Sequence, residues 1–450
     1  MRSAALHDDS VLDSLLPQNA SMMKRVLIVT YDFPPVGGVS VQRVAKFAKY
    51  LPRHGWQPTV LTTRRGRIGP QDRSLFADLP AMPIHRTPAP DPVRLLVALK
   101  ALFTDSHRPD RDLVGPADGR VGPWHPAAWV IPDAKLPWIP FGLHWAARVP
   151  RNERGDVVLS TLPSPTAAIL GHLIARMWGA PHVIDYRESW SNALYLPRRL
   201  HPLRWLETRL ERAILTHASA AVAVPGVRHD LPNYGTPVCL IPNGYDETDF
   251  ARVAVRKPSD QFVIAHVGVM WQGREVDPLI PAVNLLARRN ERSVARLHFL
   301  QVGRTDSYSK RRLEALSTRT RVSVLPAVDH SDALAYMIGA DLLYLPTIRN
   351  YIPTKSYEYV RSGVPIVGVG HAATNLAGLL RETGTGQVFD PEDAAGIAAY
   401  IDRLVNRGRR PPGPPSPAVA AYSREANTGR LAALLDEVLV RRSVRRAPLG

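Results

Sequence analysis

The sequence contains a single cysteine, Cys239, and no long apolar run. One cysteine excludes an intramolecular disulfide and a cysteine-based zinc module, and it suits a reducing compartment. No stretch reaches the about 18 consecutive apolar residues that a membrane-spanning helix needs, so we expect no such helix. Residues 1–23 contain three aspartates and no apolar core, so they do not read as a signal peptide, and we expect a flexible N-terminal extension there.

Positive charge is abundant and unevenly distributed along the chain. Lys and Arg number 57 against 40 Asp and Glu, which gives a net charge of +17. Residues 24–150 carry +9 and residues 401–450 carry +6, whereas residues 151–400 carry only +4. Such a field suits an anionic membrane, a phosphorylated substrate or a nucleic acid, and an ordinary solvated surface is the alternative. No aromatic-interleaved recognition motif is present, so we expect no nucleic-acid partner.

The hydrophobic pattern predicts two α/β domains. Continuous apolar runs such as 25–31 and 262–267 are typical of buried parallel strands, and helical spacing follows each of them. Strands and helices alternate over 25–224 and again over 262–369, which predicts two Rossmann-like, doubly wound sheets and a final helix near 418–441. The predicted units are an extension (1–23), an N-terminal domain (24–240), a C-terminal domain (241–410), and a Pro-rich linker with the final helix and a basic tail (411–450).

Residues 80–150 interrupt this alternation. They are rich in proline and hold four of the nine tryptophans, namely Trp124, Trp129, Trp138 and Trp145. Core packing and an interface at the level of lipid headgroups are both open interpretations of this insertion, and residues 93–103 fit an amphipathic interfacial helix. An Asp-x-Asp pair at Asp110 and Asp112 lies in an irregular segment and follows no hydrophobic strand, so we expect no metal site.

Three segments carry candidate chemistry. Gly37 and Gly38 follow the first strand at a helix start, where backbone N–H groups can meet an anion, but the spacing is not that of a dinucleotide-binding motif. Gly268 and the cations Arg274 and Arg304 follow the first two strands of the second domain, which is where open α/β sheets bind ligands such as phosphates. A structural turn and ordinary surface arginines are the alternatives.

The third segment is Tyr-Ile-Pro-Thr-Lys-Ser-Tyr-Glu-Tyr at residues 351–359. Pro353 is well suited to the first turn of a helix, and Glu358 falls about one turn after Thr354 and Lys355. A carboxylate at that position could accept hydrogen bonds from both hydroxyls of a ribose. A solvated helix is the alternative interpretation.

With these segments taken together, the chain resembles a GT-B glycosyltransferase of family 4. The resemblance spreads over most of residues 24–440 and rests on the order of several short blocks: Tyr-Asp-Phe-Pro-Pro before Gly37, Ile131-Pro-Asp133 with Trp138-Ile-Pro, residues 160–165, Asp185-Tyr-Arg-Glu-Ser-Trp190, residues 241–246, and residues 353–359. It implies two Rossmann-like domains that face a cleft and a last helix that crosses back to the N-terminal domain. It also implies a donor bound by the C-terminal domain, an acceptor bound by the N-terminal domain, and retention of the anomeric configuration.

The resemblance assigns family roles to individual residues. The donor-binding set would be Gly37, Gly38, Gly268, Arg274, Arg304, Asn350, Lys355, Tyr357 and Glu358. Asn243 and Gly244 would lie on the hinge side of the cleft, and Asp185, Arg187 and Glu188 would form the catalytic set. Two departures bear on this assignment. Asn350 stands where the family often has a glutamate, and Arg187 stands where it often has a histidine.

The resemblance therefore implies a retaining transferase that moves a hexosyl group from a nucleoside-diphosphate sugar to a saccharide or lipid-linked acceptor. We expect it to act in cell-surface polysaccharide or glycolipid biosynthesis, without a cofactor or metal. We expect a cytoplasmic protein. Because the chain is basic, a peripheral position on the inner face of the cell membrane stays open. A sugar-nucleotide epimerase or hydrolase and a non-catalytic GT-B scaffold subunit are the alternatives.

Overall fold

A computed structural model describes most of the chain. The described residues are 23–64, 73–90, 131–187, 190, 201–227, 231, 233–251, 253–257, 260–272, 276–347, 352–371, 374–408 and 414–446. Within these ranges, no helix is both long enough and apolar enough to cross a membrane.

The first domain contains a sheet of seven parallel strands. They are β1 (Lys24–Val29), β2 (Trp56–Thr63), β3 (Ile84–Thr87), β4 (Val157–Thr161), β5 (His182–Tyr186), β6 (Ala220–Ala223) and β7 (Val238–Leu240). Their order is β3-β2-β1-β4-β5-β6-β7, so the direction of winding reverses at β1. Val26 pairs with Pro58 on one side and with Val157 on the other. The central strands are apolar on both faces because helices cover both sides of a parallel sheet.

The described residues of this domain contain five helices. They are α1 (Val39–Tyr50), α2 (Arg73–Ala77), α3 (Trp138–Arg148), α4 (Pro165–Trp178) and α5 (His201–His217). Short 3-10 helices span Leu51–His54 and Arg151–Glu153. A single-turn helix, α6 (Glu247–Phe250), lies in the connection to the second domain, where Asp246 caps it through the backbone N–H of Thr248.

The second domain repeats the plan with six parallel strands. They are β8 (Phe262–Val267), β9 (Leu297–Val302), β10 (Arg321–Leu325), β11 (Leu342–Pro346), β12 (Ile366–Val369) and β13 (Gly386–Phe389), in the order β10-β9-β8-β11-β12-β13. The helices are α7 (Leu279–Arg289), α8 (Glu291–Ala295), α9 (Ser307–Ser317), α10 (His330–Gly339), α11 (Lys355–Ser362), α12 (Asn375–Thr383) and α13 (Ala394–Arg407). The prediction of two Rossmann-like domains is confirmed.

The last two helices, α14 (Pro417–Ala420) and α15 (Arg424–Arg446), return the chain to the first domain. Leu431, Leu435 and Val438 of α15 pack into the core of the first sheet. The indole N–H of Trp56 donates to Asp436 Oδ1 at 3.0 Å. The helix that was predicted to cross back to the N-terminal domain is therefore confirmed, and we call α15 the crossover helix.

The 80–150 insertion contains regular structure in its described parts, residues 80–90 and 131–150. It contributes β3 at the sheet edge and α3, both of which the apolar pattern alone did not predict. Trp138 is fully buried, donates from its indole N–H to Thr87 Oγ1 at 2.8 Å, and packs edge-on against Tyr31. Core packing is thus correct for Trp138. The predicted helix at 93–103, together with Trp124, Trp129, Asp110 and Asp112, lies outside the described residues.

Candidate active site

A cleft of about 1020 Å³ lies between the two domains. Gly37 and Gly38 line it from the first domain and Glu358 from the second. Gly244 and Arg424 line it from the two segments that connect the domains. Such a cleft, at the carboxyl ends of strands where the winding of a sheet reverses, is the usual ligand site of doubly wound folds.

Asp185, at the end of β5, is bound by Arg43 of α1, a residue that sequence reasoning did not single out. Arg43 Nε lies 3.2 Å from both carboxylate oxygens, and its Nη2 lies 3.1 Å from Oδ1. The Thr161 hydroxyl donates to Oδ2 at 3.1 Å. Arg43 and Asp185 are each 1% exposed. A charged residue among the apolar helix positions Val41, Val44 and Ala45 was the available signal, because such residues are buried only when paired.

Arg187 belongs to the same buried cluster. It is 9% exposed, and its Nε donates to the Leu162 carbonyl at 2.8 Å and lies 3.5 Å from Asp185 Oδ2. Glu188 lies outside the described residues. Asp185 and Arg187, which were predicted to belong to one catalytic set, thus lie side by side. Both bind other protein groups beside the cleft. Their catalytic role stays a prediction.

Asn243 connects the first domain, the second domain and the crossover helix. Its Oδ1 accepts from Arg43 Nη1 at 3.4 Å and from Arg424 Nη1 at 3.5 Å. Its Nδ2 donates to Thr354 Oγ1 at 3.4 Å, just before α11, and its carbonyl accepts from Asn427 Nδ2 at 3.3 Å. Because four partners from three parts of the chain meet at one residue, Asn243 lies where a hinge between the domains would turn.

We expect Gly244→Ala to destabilise the protein by about 1–3 kcal/mol, as overpacking generally does. A Cβ at Gly244 would lie 2.2 Å from the Tyr422 carbonyl oxygen and 2.8 Å from Asn427 Nδ2. Urea unfolding of the variant measures the loss. The matched control is Gly378→Ala in α12, where no atom lies within 4 Å of the added Cβ and the change should be neutral or stabilising. Equal losses in both variants would contradict the close approach.

Gly37 and Gly38 both line the cleft at the start of α1. Gly38 has a φ of 119°, a backbone conformation that favours glycine, and its carbonyl accepts the first hydrogen bonds of the helix from Val41 and Gln42. The predicted position of these two glycines is therefore observed. Whether their backbone meets a donor stays a prediction.

Lys355, the first residue of α11, begins a chain of hydrogen bonds across the edge of the second sheet. Its ammonium group contacts His266 Nε2, His266 Nδ1 lies 2.6 Å from Gln301 Oε1, and Gln301 Nε2 donates to the Gly268 carbonyl at 2.9 Å. An ammonium group can only donate, so His266 accepts at Nε2 and donates from Nδ1. The buried imidazole of His266 and the amide of Gln301 thus hold Lys355 next to Gly268. The sequence analysis had predicted that Lys355 and Gly268 belong to one site.

Glu358 lies one turn further along α11 and faces the cleft. Its Oε1 lies 2.9 Å from His330 Nε2 at the start of α10. Burial alone would favour the neutral ring, but the hydrogen bond and charge of Glu358 raise the pKa of His330 above its ordinary value. His330 was not predicted, because its partner is 28 residues away in the sequence.

Tyr357 is the exception in this segment. It was predicted to line the nucleotide pocket, but it is buried in the core and its ring packs 5.7 Å from that of Tyr422. Adjacent residues of a helix point about 100° apart, so Tyr357 faces inward when Glu358 faces the cleft. Arg304 follows β9 and is exposed, whereas Arg274 and Asn350 lie outside the described residues.

A group of lysines and aspartates joins the domains at one side of the cleft. The carboxylates of Asp78, Asp246 and Asp249 converge within 4.8 Å, a spacing that could suit a metal ion. Lys46 Nζ lies 2.7, 2.6 and 3.1 Å from them, respectively, and Lys49 Nζ pairs with Asp78 and Asp246. Burial would raise the pKa of Asp246, but the two lysines hold it well below its ordinary value. The lysines supply the positive charge here, so the cluster is an interdomain ion-pair network.

Residues 261–407 match the model of the family Glycosyl transferases group 1. This stretch contains the second sheet together with Lys355, Glu358, His266 and His330. The match and the GT-B arrangement of the two domains support a glycosyltransferase. A search of curated protein sequences returns no match.

Solved structures with similar folds cover nearly the whole chain. A sucrose-phosphate synthase from Thermosynechococcus elongatus aligns with a TM-score of 0.54 and 16% identity over 93% of this chain and 97% of that one. Anabaena HepE in complex with UDP aligns with a TM-score of 0.51 and 13% identity over 95% and 100%. A protein assigned as a UDP-N-acetylglucosamine 2-epimerase from Listeria monocytogenes aligns with 0.51 and 12% over 93% and 97%. At these identities the likeness shows the fold.

Proposed function

We propose that this protein is a retaining glycosyltransferase that moves a hexosyl group from a nucleoside-diphosphate sugar to a hydroxyl acceptor. The observation that carries the proposal is the placement of Lys355 and Glu358. Glu358 lines the cleft, and Lys355 stands three residues before it on the same face of α11, next to Gly268, inside the segment that matches the glycosyltransferase family. A cation and a carboxylate one turn apart suit the diphosphate and the ribose of one nucleotide.

The donor would lie along the second domain. The Glu358 carboxylate would accept hydrogen bonds from the ribose hydroxyls, with His330 holding its orientation. The Lys355 ammonium, positioned by His266 beside Gly268, would meet the diphosphate. Arg274 and Arg304 are proposed to add positive charge there, and Asn350 is proposed to approach the donor sugar.

The chemistry would depend on stabilising the leaving diphosphate. Cleavage of the bond between the anomeric carbon and the phosphate oxygen leaves negative charge on that oxygen, and fixed cations lower the energy of this transition state. Lys355 and Arg274 supply that charge, so we expect no metal requirement. The acceptor hydroxyl would attack from the face that the diphosphate leaves, which retains the configuration, and its proton would pass to a diphosphate oxygen.

The acceptor would bind to the first domain. Residues 24–150 carry a surplus of +9, which suits a phosphate-bearing lipid-linked saccharide or an anionic membrane surface. We therefore propose a cytoplasmic enzyme of cell-surface polysaccharide or glycolipid biosynthesis that works at the inner face of the membrane.

A sugar-nucleotide epimerase or hydrolase is the second candidate, because a protein assigned as such an epimerase has a similar fold. Product analysis with and without an acceptor separates the two. Epimerised or free sugar formed without acceptor would favour the second candidate, whereas donor turnover of any kind would exclude a non-catalytic scaffold subunit.

A thermal-shift panel of UDP-, GDP- and dTDP-sugars tests the donor pocket. We expect one nucleotide class to raise the Tm of the wild type by several degrees, and we expect Glu358→Ala to abolish most of that rise because the ribose contact is lost. Glu392→Ala is the matched control, since Glu392 is exposed and does not line the cleft. A donor that stabilises the wild type and Glu358→Ala equally would refute the assigned pocket.

A further inference from the structure

Arg424, the first residue of the crossover helix, is a buried cation that has no carboxylate partner among the described residues. It lines the cleft although only 4% of its surface is exposed. A guanidinium group offers five N–H donors, yet in the described part of the chain its one side-chain hydrogen bond is the long contact to Asn243 Oδ1 at 3.5 Å. No carboxylate of the described residues lies within ion-pair distance of it.

Two neighbouring arginines, Arg43 and Arg187, add to the positive charge around Arg424. Burial, together with the nearby charges of Arg43 and Arg187, lowers the pKa of Arg424 to about 10, against opposing effects of Glu358 and Tyr357. The group is still cationic at neutral pH. The carboxylates in the vicinity are already engaged, because Asp185 pairs with Arg43 and Glu358 pairs with His330. Three guanidinium groups therefore meet beside the cleft with little free negative charge.

Such an arrangement is costly for the unliganded protein. A buried charge loses the hydration that it has in water, and it recovers that energy only from a partner of opposite charge. Arg43 has such a partner in Asp185, whereas Arg424 has none among the residues described. Because Arg424 lines the cleft, an anion in the cleft could reach it.

We propose that Arg424 receives a phosphate or diphosphate group of a substrate in the cleft. The planar guanidinium can bind two phosphate oxygens at once, which a lysine cannot do. The crossover helix would then bind substrate as well as connect the domains. The proposal rests on the proposed function in that the phosphate-type anion is either the donor diphosphate or a phosphate on the acceptor.

Because Arg424 also contacts Asn243, the binding of an anion to Arg424 would affect the hinge between the domains. The backbone N–H of Arg424 donates to the Tyr245 carbonyl at 2.7 Å, and Tyr245 follows the hinge residues directly. An anion that draws the guanidinium towards it would therefore act on the same segment that sets the angle between the domains.

The test is calorimetric titration of inorganic pyrophosphate into the wild type and Arg424→Gln at constant ionic strength. We expect at least about tenfold weaker binding in the variant, since a charge-assisted pair is lost. Arg430→Gln is the matched control, because Arg430 is an exposed arginine of the same helix, and it should bind like the wild type. Equal affinity of the wild type and Arg424→Gln, or no binding to either, would overturn the proposal.

The melting temperature without ligand separates this role from a structural one. Removing an unpaired buried charge should leave the Tm of Arg424→Gln unchanged or raise it, whereas a structural arginine would lower it. Should Arg424→Gln fail to fold, Arg424→Lys keeps the charge and loses the planar fork, so it should bind pyrophosphate several-fold more weakly. Wild-type affinity in Arg424→Lys would then overturn the proposal.

A second titration identifies the source of the anion. Pyrophosphate is added in the presence of a saturating nucleoside diphosphate of the class that the thermal-shift panel selects. Competition assigns the anion to the donor, and Arg424-dependent binding that persists assigns it to the acceptor. A panel without any stabilising nucleotide would reject the proposed donor, while the pyrophosphate titration alone would still decide the role of Arg424.

Discussion

Replacing Lys355 by alanine is expected to lower the kcat of sugar transfer by about 10²- to 10³-fold, the usual effect of removing a group that stabilises developing negative charge. Lys355 is held by His266, which is fully buried and bound in turn to Gln301. The ammonium group is therefore preorganised and does not have to be positioned during the reaction. Steady-state kinetics with the donor that the ligand panel selects gives the measurement.

The control for this prediction is Lys310→Ala, because Lys310 is an exposed lysine of α9 and does not line the cleft. It should leave kcat and KM unchanged. Binding of the free nucleoside should also be unchanged in Lys355→Ala, since the nucleoside lacks the diphosphate. A Lys355→Ala enzyme with wild-type kcat would show that the leaving group is stabilised by other residues.

Replacing Arg43 by methionine is expected to destabilise the protein by about 3–5 kcal/mol, the typical cost of breaking a buried ion pair. The change leaves the Asp185 carboxylate buried with the Thr161 hydroxyl and Arg187 as its remaining partners. It also removes the donors to the Ile241 and Pro242 carbonyls at 2.9 and 2.8 Å. Urea unfolding, followed by fluorescence, measures the loss.

The double variant Arg43→Met with Asp185→Asn should recover part of that loss, because the Asp185 carboxylate is then no longer buried without its principal partner. Arg312→Met is the matched control, in which an ion pair at the surface is broken instead of a buried one. Arg312 pairs with Asp277 at the surface, and such pairs contribute about 1 kcal/mol or less. A double variant that is no more stable than Arg43→Met would mean that the hinge carbonyls, not the carboxylate, dominate the role of Arg43.

Sequence patterns predicted the central strands of both sheets but missed the short strands at the edges of the first sheet. The strand over 262–267 was predicted with the bounds that the structure has, because a strand buried on both faces reads as a nearly continuous apolar run, which only His266 interrupts here. β3 and β7 were missed, because they have four and three residues and lie at the edges of the sheet, where one side needs no apolar partner. Short strands carry too little pattern to be distinguished from a loop.

The candidate site was predictable where its chemistry is local in the sequence. Lys355 and Glu358 stand one turn apart in one segment, so their common face follows from helical geometry. Arg43 and His330 were missed because their partners, Asp185 and Glu358, are 142 and 28 residues away. Arg424 was missed for a different reason. It belongs to a helix whose predicted purpose was to connect the domains, and its position in the cleft follows only from the way that helix begins.

The most direct test of the account is to follow the wild-type chain by proton NMR with the selected sugar nucleotide and a saccharide acceptor. The account predicts a new glycoside with the anomeric configuration of the donor, release of one nucleoside diphosphate per glycoside, and formation of both products about 10²- to 10³-fold more slowly with Lys355→Ala. A product of inverted configuration would contradict the retaining mechanism. Epimerised or hydrolysed donor in the absence of any glycoside would contradict the assignment as a transferase.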